Sequence, residues 1–164
     1  MPNITVYTDG GTRNTGNYKG GKVQDCDLAA WAYLITYDGK KFFSTDGVFG
    51  ATNNQMELTG VIKALEKLKS SKANNFPIVI YSDSKYIVDA INKNWLNNWV
   101  KRNWRKANGG EVLNPELWQK IYALLSSFSK IKFVWVKGHA DNFGNNFVDQ
   151  TLNKTMDKMK SAKR

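Results

Sequence analysis

The feature that most constrains the fold is a change in the spacing of apolar residues near residue 50. Before it, residues 4–11 alternate apolar and polar side chains, as a half-buried β-strand does. Residues 28–50 indicate a hairpin with Asp38-Gly39 as its turn. After it, apolar residues recur three and four positions apart, the period of an α-helix; they are Leu58, Val61, Ile62, Leu65 and Leu68. The pattern predicts three opening strands and a first helix at 53–70.

The opening strands and the later elements together define the fold class. We expect the first strand to end at the paired glycines Gly10 and Gly11, and the three strands to form an antiparallel meander. Later strands are predicted at 77–83 and 130–136, and later helices at 84–93, 114–128 and 144–159. Strands that alternate with helices imply parallel crossovers. We therefore predict an α/β fold with a mixed five-stranded sheet, three antiparallel strands then two parallel ones, flanked by helices.

The length and the cysteine count bound the organisation of the chain. The 164 residues suit one domain with a sizeable core. We place this domain at 1–160. It includes a basic protrusion at about 95–110 and is followed by a basic tail at 161–164. Because Cys26 is the single cysteine, no intramolecular disulfide is possible, and a reducing cytoplasm is the expected setting. We expect no signal peptide and no membrane span, since no apolar stretch approaches about 18 residues.

The charge of the chain is strongly positive and unevenly distributed. The net charge is +10, and a small protein this basic is expected to bind a polyanion, with nucleic acid as the first candidate. The alternative is that the charge only aids solubility. No acid lies between Asp89 and Glu111, whereas the same segment carries Lys93, Lys101, Arg102, Arg105 and Lys106. This clustering favours a nucleic-acid partner.

Four acids occupy positions that the predicted fold would bring together. Two lie at the ends of predicted strands and two lie near helix starts on inward-facing flanks: Asp9, Asp83, Glu57 and Asp149. The first pair could instead be a turn residue and a helix cap, and the second pair favourable charges in a first helical turn. Four such acids together repel one another, and burying them without a cation is costly. We therefore expect them to bind metal.

The residue types at this cluster favour a hard divalent cation. Carboxylate oxygens and water are the ligands of Mg²⁺ and Mn²⁺, whereas zinc sites use His and Cys, of which the chain has one each. Two ions about 3.5–4 Å apart would form a clamp suited to in-line phosphoryl displacement. The sequence therefore predicts magnesium or manganese, and phosphoryl-transfer chemistry, at the four acids.

Four motifs resemble those of type 1 ribonuclease H in order and spacing over nearly the whole chain: TDGG, TNNQMEL, YSDS and VKGHADNFGNNFVD. The resemblance implies a ribonuclease H-like fold and two-metal-ion hydrolysis of the RNA strand of RNA/DNA hybrids, with 5′-phosphate and 3′-hydroxyl products. It implies that the metal ions are held by Asp9, Glu57, Asp83 and Asp149. It also implies that His139 assists proton transfer and product release, which suits a side chain that titrates near neutral pH.

The resemblance also indicates residues that would hold the substrate. Asn53, Asn54 and Gln55 are amides in the second motif that suit RNA 2′-hydroxyls. Thr52 and Gln55, however, also form a capping-box pattern. Thr52 and Asn114 match a pocket for a DNA phosphate, although Asn114 is also the predicted N-cap of its helix.

By the same resemblance, the basic protrusion is expected to hold the DNA strand, through cations on phosphates and indoles on sugars or bases. The predicted contacts are Trp95, Trp99, Lys101, Arg102, Trp104, Arg105 and Lys106. The alternative is that the tryptophans anchor the core and the cations face solvent. We expect a mixture, with some indoles buried and most cations toward the substrate.

Two features depart from the family pattern, and a third concerns the start of the chain. The loop after Asp9 is longer than usual, so either Asn14 or Asn17 is expected to contact RNA. Gly50 stands where some members have an arginine two positions before the pocket threonine, which predicts a weaker phosphate pocket. Because the first strand starts near Met1, we expect no N-terminal hybrid-binding module.

Two other functions fit parts of the pattern. A DNA-cutting nuclease of the same fold would also use clustered acids, although at a different spacing. A non-catalytic hybrid-binding module would share the basic surface, but a pure binder gains nothing from anions beside phosphates. We expect a monomer with no obligate protein partner.

Overall fold

The computed structural model describes residues 3–13, 27–137 and 142–162. Its strands are β1 (Ile4–Arg13), β2 (Leu28–Tyr37), β3 (Lys40–Phe49), β4 (Ile78–Ser82) and β5 (Ile131–Trp135). Its helices are α1 (Asn53–Ser70), α2 (Lys85–Asn92), α3 (Trp95–Lys101), α4 (Pro115–Leu125) and α5 (Phe143–Ala162). None of these described helices combines the length and the apolar character that crossing a membrane requires.

One mixed sheet contains the five described strands in the spatial order β3-β2-β1-β4-β5. β2 pairs antiparallel with both β1 and β3, while β4 pairs parallel with both β1 and β5. Asp38 and Gly39 form the β2–β3 turn, and both have positive φ, as a tight two-residue hairpin loop requires. The predicted fold class, the strand pairing and this turn are confirmed.

The two faces of the sheet carry separate apolar cores, as alternate residues of β2 show. Trp31 and Tyr33 belong to the core on the α1 side, whereas Ala32 and Leu34 pack with α5 around Leu152. Fully burying one large aliphatic side chain contributes about 1.5–3 kcal/mol. The two cores therefore hold α1 and α5 firmly on opposite faces of the sheet, and with them the acids that these helices carry.

β1 is longer than its sequence indicates. Its antiparallel pairing continues to Arg13, so the prediction that β1 stops at Gly10 and Gly11 is wrong. Close packing explains Gly10, because a Cβ there would collide with the backbone of α1. The parallel pairing with β4 ends at Thr8. Asp9 is therefore neither a strand end nor a turn residue, but lies within β1 at the point where β4 stops beside it.

The predicted helices are present, with one difference at α4. α1 spans the predicted residues 53–70, and Thr52 and Gln55 form the predicted capping box. Asn114 occupies the N-cap position of α4, but its φ is 54° and its side chain makes no capping hydrogen bond. Its predicted capping role is therefore wrong. Pro115 disfavours helical backbone at the preceding residue, and Asn tolerates the left-handed conformation found there.

The basic protrusion, residues 95–110, consists of α3 and a turn. After α3, Asn103 and Trp104 both have positive φ. The chain then reverses, and Arg105 pairs with Glu111 in an isolated antiparallel bridge. This segment, for which the sequence predicts neither a helix nor a strand, is thus a short helix followed by an irregular hairpin.

Candidate active site

Three carboxylates from separate elements meet where the pairing of β1 with β4 ends. Asp9 lies on β1, Glu57 in the second turn of α1, and Asp83 directly after β4. One oxygen from each residue lies within 4.8 Å of an oxygen from each of the others. The parallel neighbours β1 and β4 thus bring Asp9 and Asp83 together as the sequence predicts, and α1 adds Glu57.

The close approach of α1 to β1 depends on two glycines. A Cβ at Gly10 would collide with the backbone of Met56 and Glu57. A Cβ at Gly60 would lie 3.1 Å from the carbonyl oxygen of Asp9, which is tighter than an ordinary contact. Because both side chains are missing, the helix backbone lies directly on the strand and places Glu57 beside Asp9. The sequence shows the glycines but not this contact between distant segments.

The backbone of Asp83 is held by β5, and the N-cap residue of α2 is Ser84. Ser84 is the cap of α2, since its hydroxyl accepts a hydrogen bond from the N–H of Ile87 at 3.3 Å. The N–H of Ser84 donates to Oγ of Ser82 at 3.1 Å. The indole N–H of Trp135, on β5, donates to the carbonyl oxygen of Asp83 at 3.1 Å. Sequence reasoning missed Trp135, because nothing local links it to the acid whose backbone it holds.

The surroundings make negative charge on this cluster costly. Asp9 is only 6% exposed. Burial first and the charge of Asp83 second raise the pKa of Asp9 to about 8; the other acids add to the shift, and the N–H of Gly10, at 2.8 Å, opposes it. Burial and then Asp83 raise the pKa of Glu57 to about 7, against a hydrogen bond with Ser84. The arrangement therefore favours a positive partner.

The cluster fits a hard divalent cation. It offers carboxylate oxygens alone, and within the described residues no His or Cys joins it. Such an ion would offset the burial and the repulsion between acids that raise the pKa values of Asp9 and Glu57. The first turns of α1 and α5 contain no acid. The alternative that Glu57 and Asp149 are favourable charges in a first helical turn therefore does not account for them.

Asp149 lies beside this cluster but outside the group of three. It is half-buried in the second turn of α5, and its charge contributes to the raised pKa of Asp9. The structure thus brings three of the four predicted metal ligands within reach of one cation and places the fourth nearby. The predicted His139, and the two candidates Asn14 and Asn17, lie outside the described residues.

The polar residues at the start of α1 divide into two pairs. Thr52 and Gln55 form the capping box, with hydrogen bonds of 2.8 and 3.1 Å between the side chain of each and the backbone N–H of the other. Asn53 and Asn54 are exposed on the first turn. Gly50 has a φ of 80°, where any larger side chain would be strained, and this explains the glycine two positions before Thr52.

The basic protrusion separates its cations from its indoles. The exposed cations are Lys101, Arg102, Arg105 and Lys106. Trp99, in contrast, is 7% exposed and packs edge-on against Trp118 of α4. Trp99 is predicted from the sequence to contact substrate, but its ring anchors the core and presents little surface. Trp95 and Trp104 are half-buried against the same core, so part of each ring remains at the surface.

Known proteins resemble this chain in sequence over most of its length. The family model described as RNase H matches residues 1–157. A Ribonuclease H of Clostridium botulinum is 40% identical over 157 residues, which are 96% of this chain and 97% of that protein. A Ribonuclease HI of Rickettsia prowazekii is 40% identical over 149 residues, which are 90% of this chain and 86% of that protein.

Solved structures share the fold. LC9-RNase H1, a type 1 RNase H with the type 2 active-site motif, matches with a TM-score of 0.77 at 24% identity, over 96% of this chain and 74% of that one. LC11-RNase H1, solved in complex with an RNA/DNA hybrid, matches with a TM-score of 0.69 at 23% identity, over 95% of this chain and 98% of that one. At these identities the likeness concerns the fold.

Proposed function

This chain belongs to the ribonuclease H family, and from that membership we propose that it hydrolyses the RNA strand of RNA/DNA hybrids, leaving 5′-phosphate and 3′-hydroxyl ends. The observation that carries the proposal is the group of three carboxylates, Asp9, Glu57 and Asp83, with oxygens within 4.8 Å of one another. The exposed cations of the basic protrusion add a surface suited to a polyanionic duplex. The similarly folded LC11-RNase H1 was solved with such a hybrid.

The four acids would hold two Mg²⁺ ions, and Mn²⁺ would also support activity. When bound, such ions supply an activated hydroxide and stabilise charge on the phosphate and the leaving oxygen. Asp9 and Glu57 have pKa values of about 8 and about 7, so both require a positive partner to be fully ionised near neutral pH. The N–H of Gly10 holds one oxygen of Asp9 in place, and Ser84 does the same for Glu57.

Residues in the first turn of α1 would distinguish the RNA strand from DNA. Asn53 and Asn54 are exposed, and an amide can both donate to and accept from a 2′-hydroxyl. Gln55 is engaged by the capping box and is the weaker candidate. His139, which precedes α5, would assist proton transfer and product release.

The DNA strand would follow the basic protrusion. Its exposed cations, Lys101, Arg102, Arg105 and Lys106, would neutralise phosphates. The exposed parts of the Trp95 and Trp104 rings would contact sugars or bases. Thr52 and Asn114, at the starts of two helices that pack together, would hold one DNA phosphate. The Asn114 side chain makes no capping bond, which leaves its amide for this role.

The active unit would be the monomer. The three-carboxylate group draws its residues from one chain. We propose residues 1–160 as one catalytic domain that works in the cytoplasm, in keeping with the single cysteine. Size-exclusion chromatography with light scattering would test the oligomeric state.

A strand-specific cleavage assay tests the proposed function. An RNA/DNA hybrid, a DNA duplex and an RNA duplex of one sequence are end-labelled on each strand in turn and incubated with Mg²⁺ or with EDTA. We expect cleavage of the RNA strand of the hybrid alone, only with Mg²⁺, to products with 3′-hydroxyl ends that a polymerase extends. Cleavage of DNA would support the DNA-cutting alternative, and binding without cleavage the hybrid-binding module. Hydrolysis in EDTA would reject the metal assignment.

A further inference from the structure

A chain of contacts links the end of β1 to the fourth acid, Asp149. Arg13, the last residue of β1, donates from Nη2 to Oδ1 of Asn153 at 3.0 Å and to its carbonyl oxygen at 3.1 Å. Its Nη1 pairs with Oδ1 of Asp157 at 2.6 Å. Nδ2 of Asn153 donates to the carbonyl oxygen of Asp149 at 2.8 Å and lies 3.5 Å from the carboxylate oxygen Oδ1.

Arg13 and Asp149 together hold the Asn153 amide in one orientation. A guanidinium only donates hydrogen bonds, so it meets the amide oxygen, while the amide nitrogen faces the carbonyl and carboxylate oxygens of Asp149. Loss of Arg13 would remove one of these two constraints on the amide. Arg13 thus contributes to the position of Asp149 through Asn153.

The same contacts fix the position of α5 along β1. Asp9, Gly11 and Arg13 are alternate residues of β1 and share one face of the sheet. The charge of Asp149 acts on Asp9, and a Cβ at Gly11 would lie 3.4 Å from Leu152. Arg13 makes its three polar contacts with Asn153 and Asp157, one and two turns beyond Asp149 along α5. Arg13 therefore adds polar contacts to the apolar packing that holds Asp149 beside Asp9.

We propose that Arg13 and Asn153 are positioning residues that set Asp149 relative to Asp9, and thereby set the affinity of the site for divalent cations. The inference rests on the proposed function of the four acids. Removal of a side chain that orients a metal ligand typically lowers metal affinity about 10- to 100-fold. Sequence reasoning did not find the pair, because Arg13 and Asn153 lie 140 residues apart.

The test compares Arg13→Ala and Asn153→Ala with Thr155→Val. Thr155 is on the same helix and shares a hydrogen bond with Thr45 of β3 at 2.7 Å, so its variant loses an α5–sheet bond without touching Asp149. Calorimetry measures Mn²⁺ binding to the full chain without nucleic acid, and an assay measures the Mg²⁺ dependence of hybrid hydrolysis. We expect the first two variants to weaken Mn²⁺ binding and raise the half-saturating Mg²⁺ concentration about 10-fold, with near-wild-type rates at saturation. Thr155→Val should change neither.

Two further variants separate positioning from general stability. Arg13→Ala/Asn153→Ala should bind Mn²⁺ no more weakly than the worse single variant, because both residues act through one chain of contacts. Arg13→Lys, which keeps the charge and a donor, should recover part of the affinity.

Two outcomes overturn different statements. If Arg13→Ala and Asn153→Ala lower the Tm but leave Mn²⁺ binding and the Mg²⁺ dependence at wild-type values, these contacts only stabilise α5 and the inference is wrong. If the wild-type chain neither binds Mn²⁺ nor cleaves a hybrid with Mg²⁺, the proposed function itself fails.

Discussion

The carboxylate site and the basic protrusion each concentrate one sign of charge, but they hold it in opposite ways. In the site, Asp9, Glu57 and Asp83 are buried or half-buried, and glycine packing and backbone hydrogen bonds fix their places. In the protrusion, the cations are exposed, and the buried Trp99 beneath them anchors the segment. Like charges removed from water require a positive partner at a fixed place, whereas exposed charges are screened and act nearly independently.

This difference predicts how each region responds to substitution. A bound cation requires ligand oxygens at set distances, so the loss of one carboxylate or a small shift of α1 should be severe. A duplex offers phosphates along its whole length, so the loss of one exposed cation should weaken binding only modestly. Substitutions in the two regions therefore test the contrast directly.

The largest expected effect is that of Asp9→Asn, which should lower kcat about 10³-fold or more while the circular dichroism spectrum stays unchanged. The matched control is Asp46→Asn. Asp46 lies exposed on β3 and accepts a hydrogen bond from the following glycine at 2.8 Å, as Asp9 does. We expect its kcat to stay within about twofold of wild type, as for most surface substitutions. Comparable turnover in the two variants would remove the basis for the metal site.

The next effect concerns the packing that supports the site. Gly10→Ala forces α1 away from β1 and should lower kcat/KM about 10- to 100-fold, since small displacements of reacting groups are costly. Gly11→Ala is the control, because its Cβ would meet Leu152 at an ordinary 3.4 Å. Steady-state kinetics and thermal unfolding of both variants measure the difference. Equal losses at the two positions would mean that the α1–β1 contact does not set the geometry.

A smaller effect is expected from the protrusion. The triple variant Arg102→Ala/Arg105→Ala/Lys106→Ala should raise KM about 10-fold at low salt and leave kcat nearly unchanged, with a shallower dependence of log KM on log salt. A control with equal charge loss removes the exposed lysines of α1, Lys63, Lys67 and Lys69. If both triple variants changed KM equally, only the net charge would matter, and the protrusion would have no special role.

The sequence predicts those features of the fold and the site that depend on neighbouring residues, and it misses those that depend on contacts between distant segments. The bounds of α1 and the pairing of the strands follow from hydrophobic period, and the convergence of Asp9 with Asp83 follows from parallel neighbours. The burial of Trp99 could not be predicted, because a tryptophan in a basic segment suits both a core and a nucleic-acid surface. The extension of β1 past Gly10 comes from its pairing with β2, and the contact of Arg13 with α5 depends on a helix far along the chain.

The smallest expected effect is a dependence of stability on pH that arises from the site. The pKa of Asp9 is raised to about 8 and that of Glu57 to about 7. The native state therefore binds these protons more tightly than the unfolded chain does. Their contribution to stability is complete below about pH 4 and is lost as the pH rises through about 7 to 8. In EDTA, the Tm of the wild-type chain should therefore fall as the pH rises from about 4 to about 8.

Asp9→Asn removes the buried charge, so in EDTA it should flatten this fall and raise the Tm at pH 8, whereas Asp46→Asn should keep the wild-type profile. Mn²⁺ at about 100 times its dissociation constant should raise the wild-type Tm at pH 8 by about 5 to 10 °C, because it binds the native state alone. Asp9→Asn should show little of that rise. Thermal unfolding at pH 5 to 8, with EDTA or Mn²⁺, measures each shift. An equal rise in Asp9→Asn and wild type would place the cation elsewhere, and the contrast between a site that requires a fixed ion and a protrusion that does not would fail.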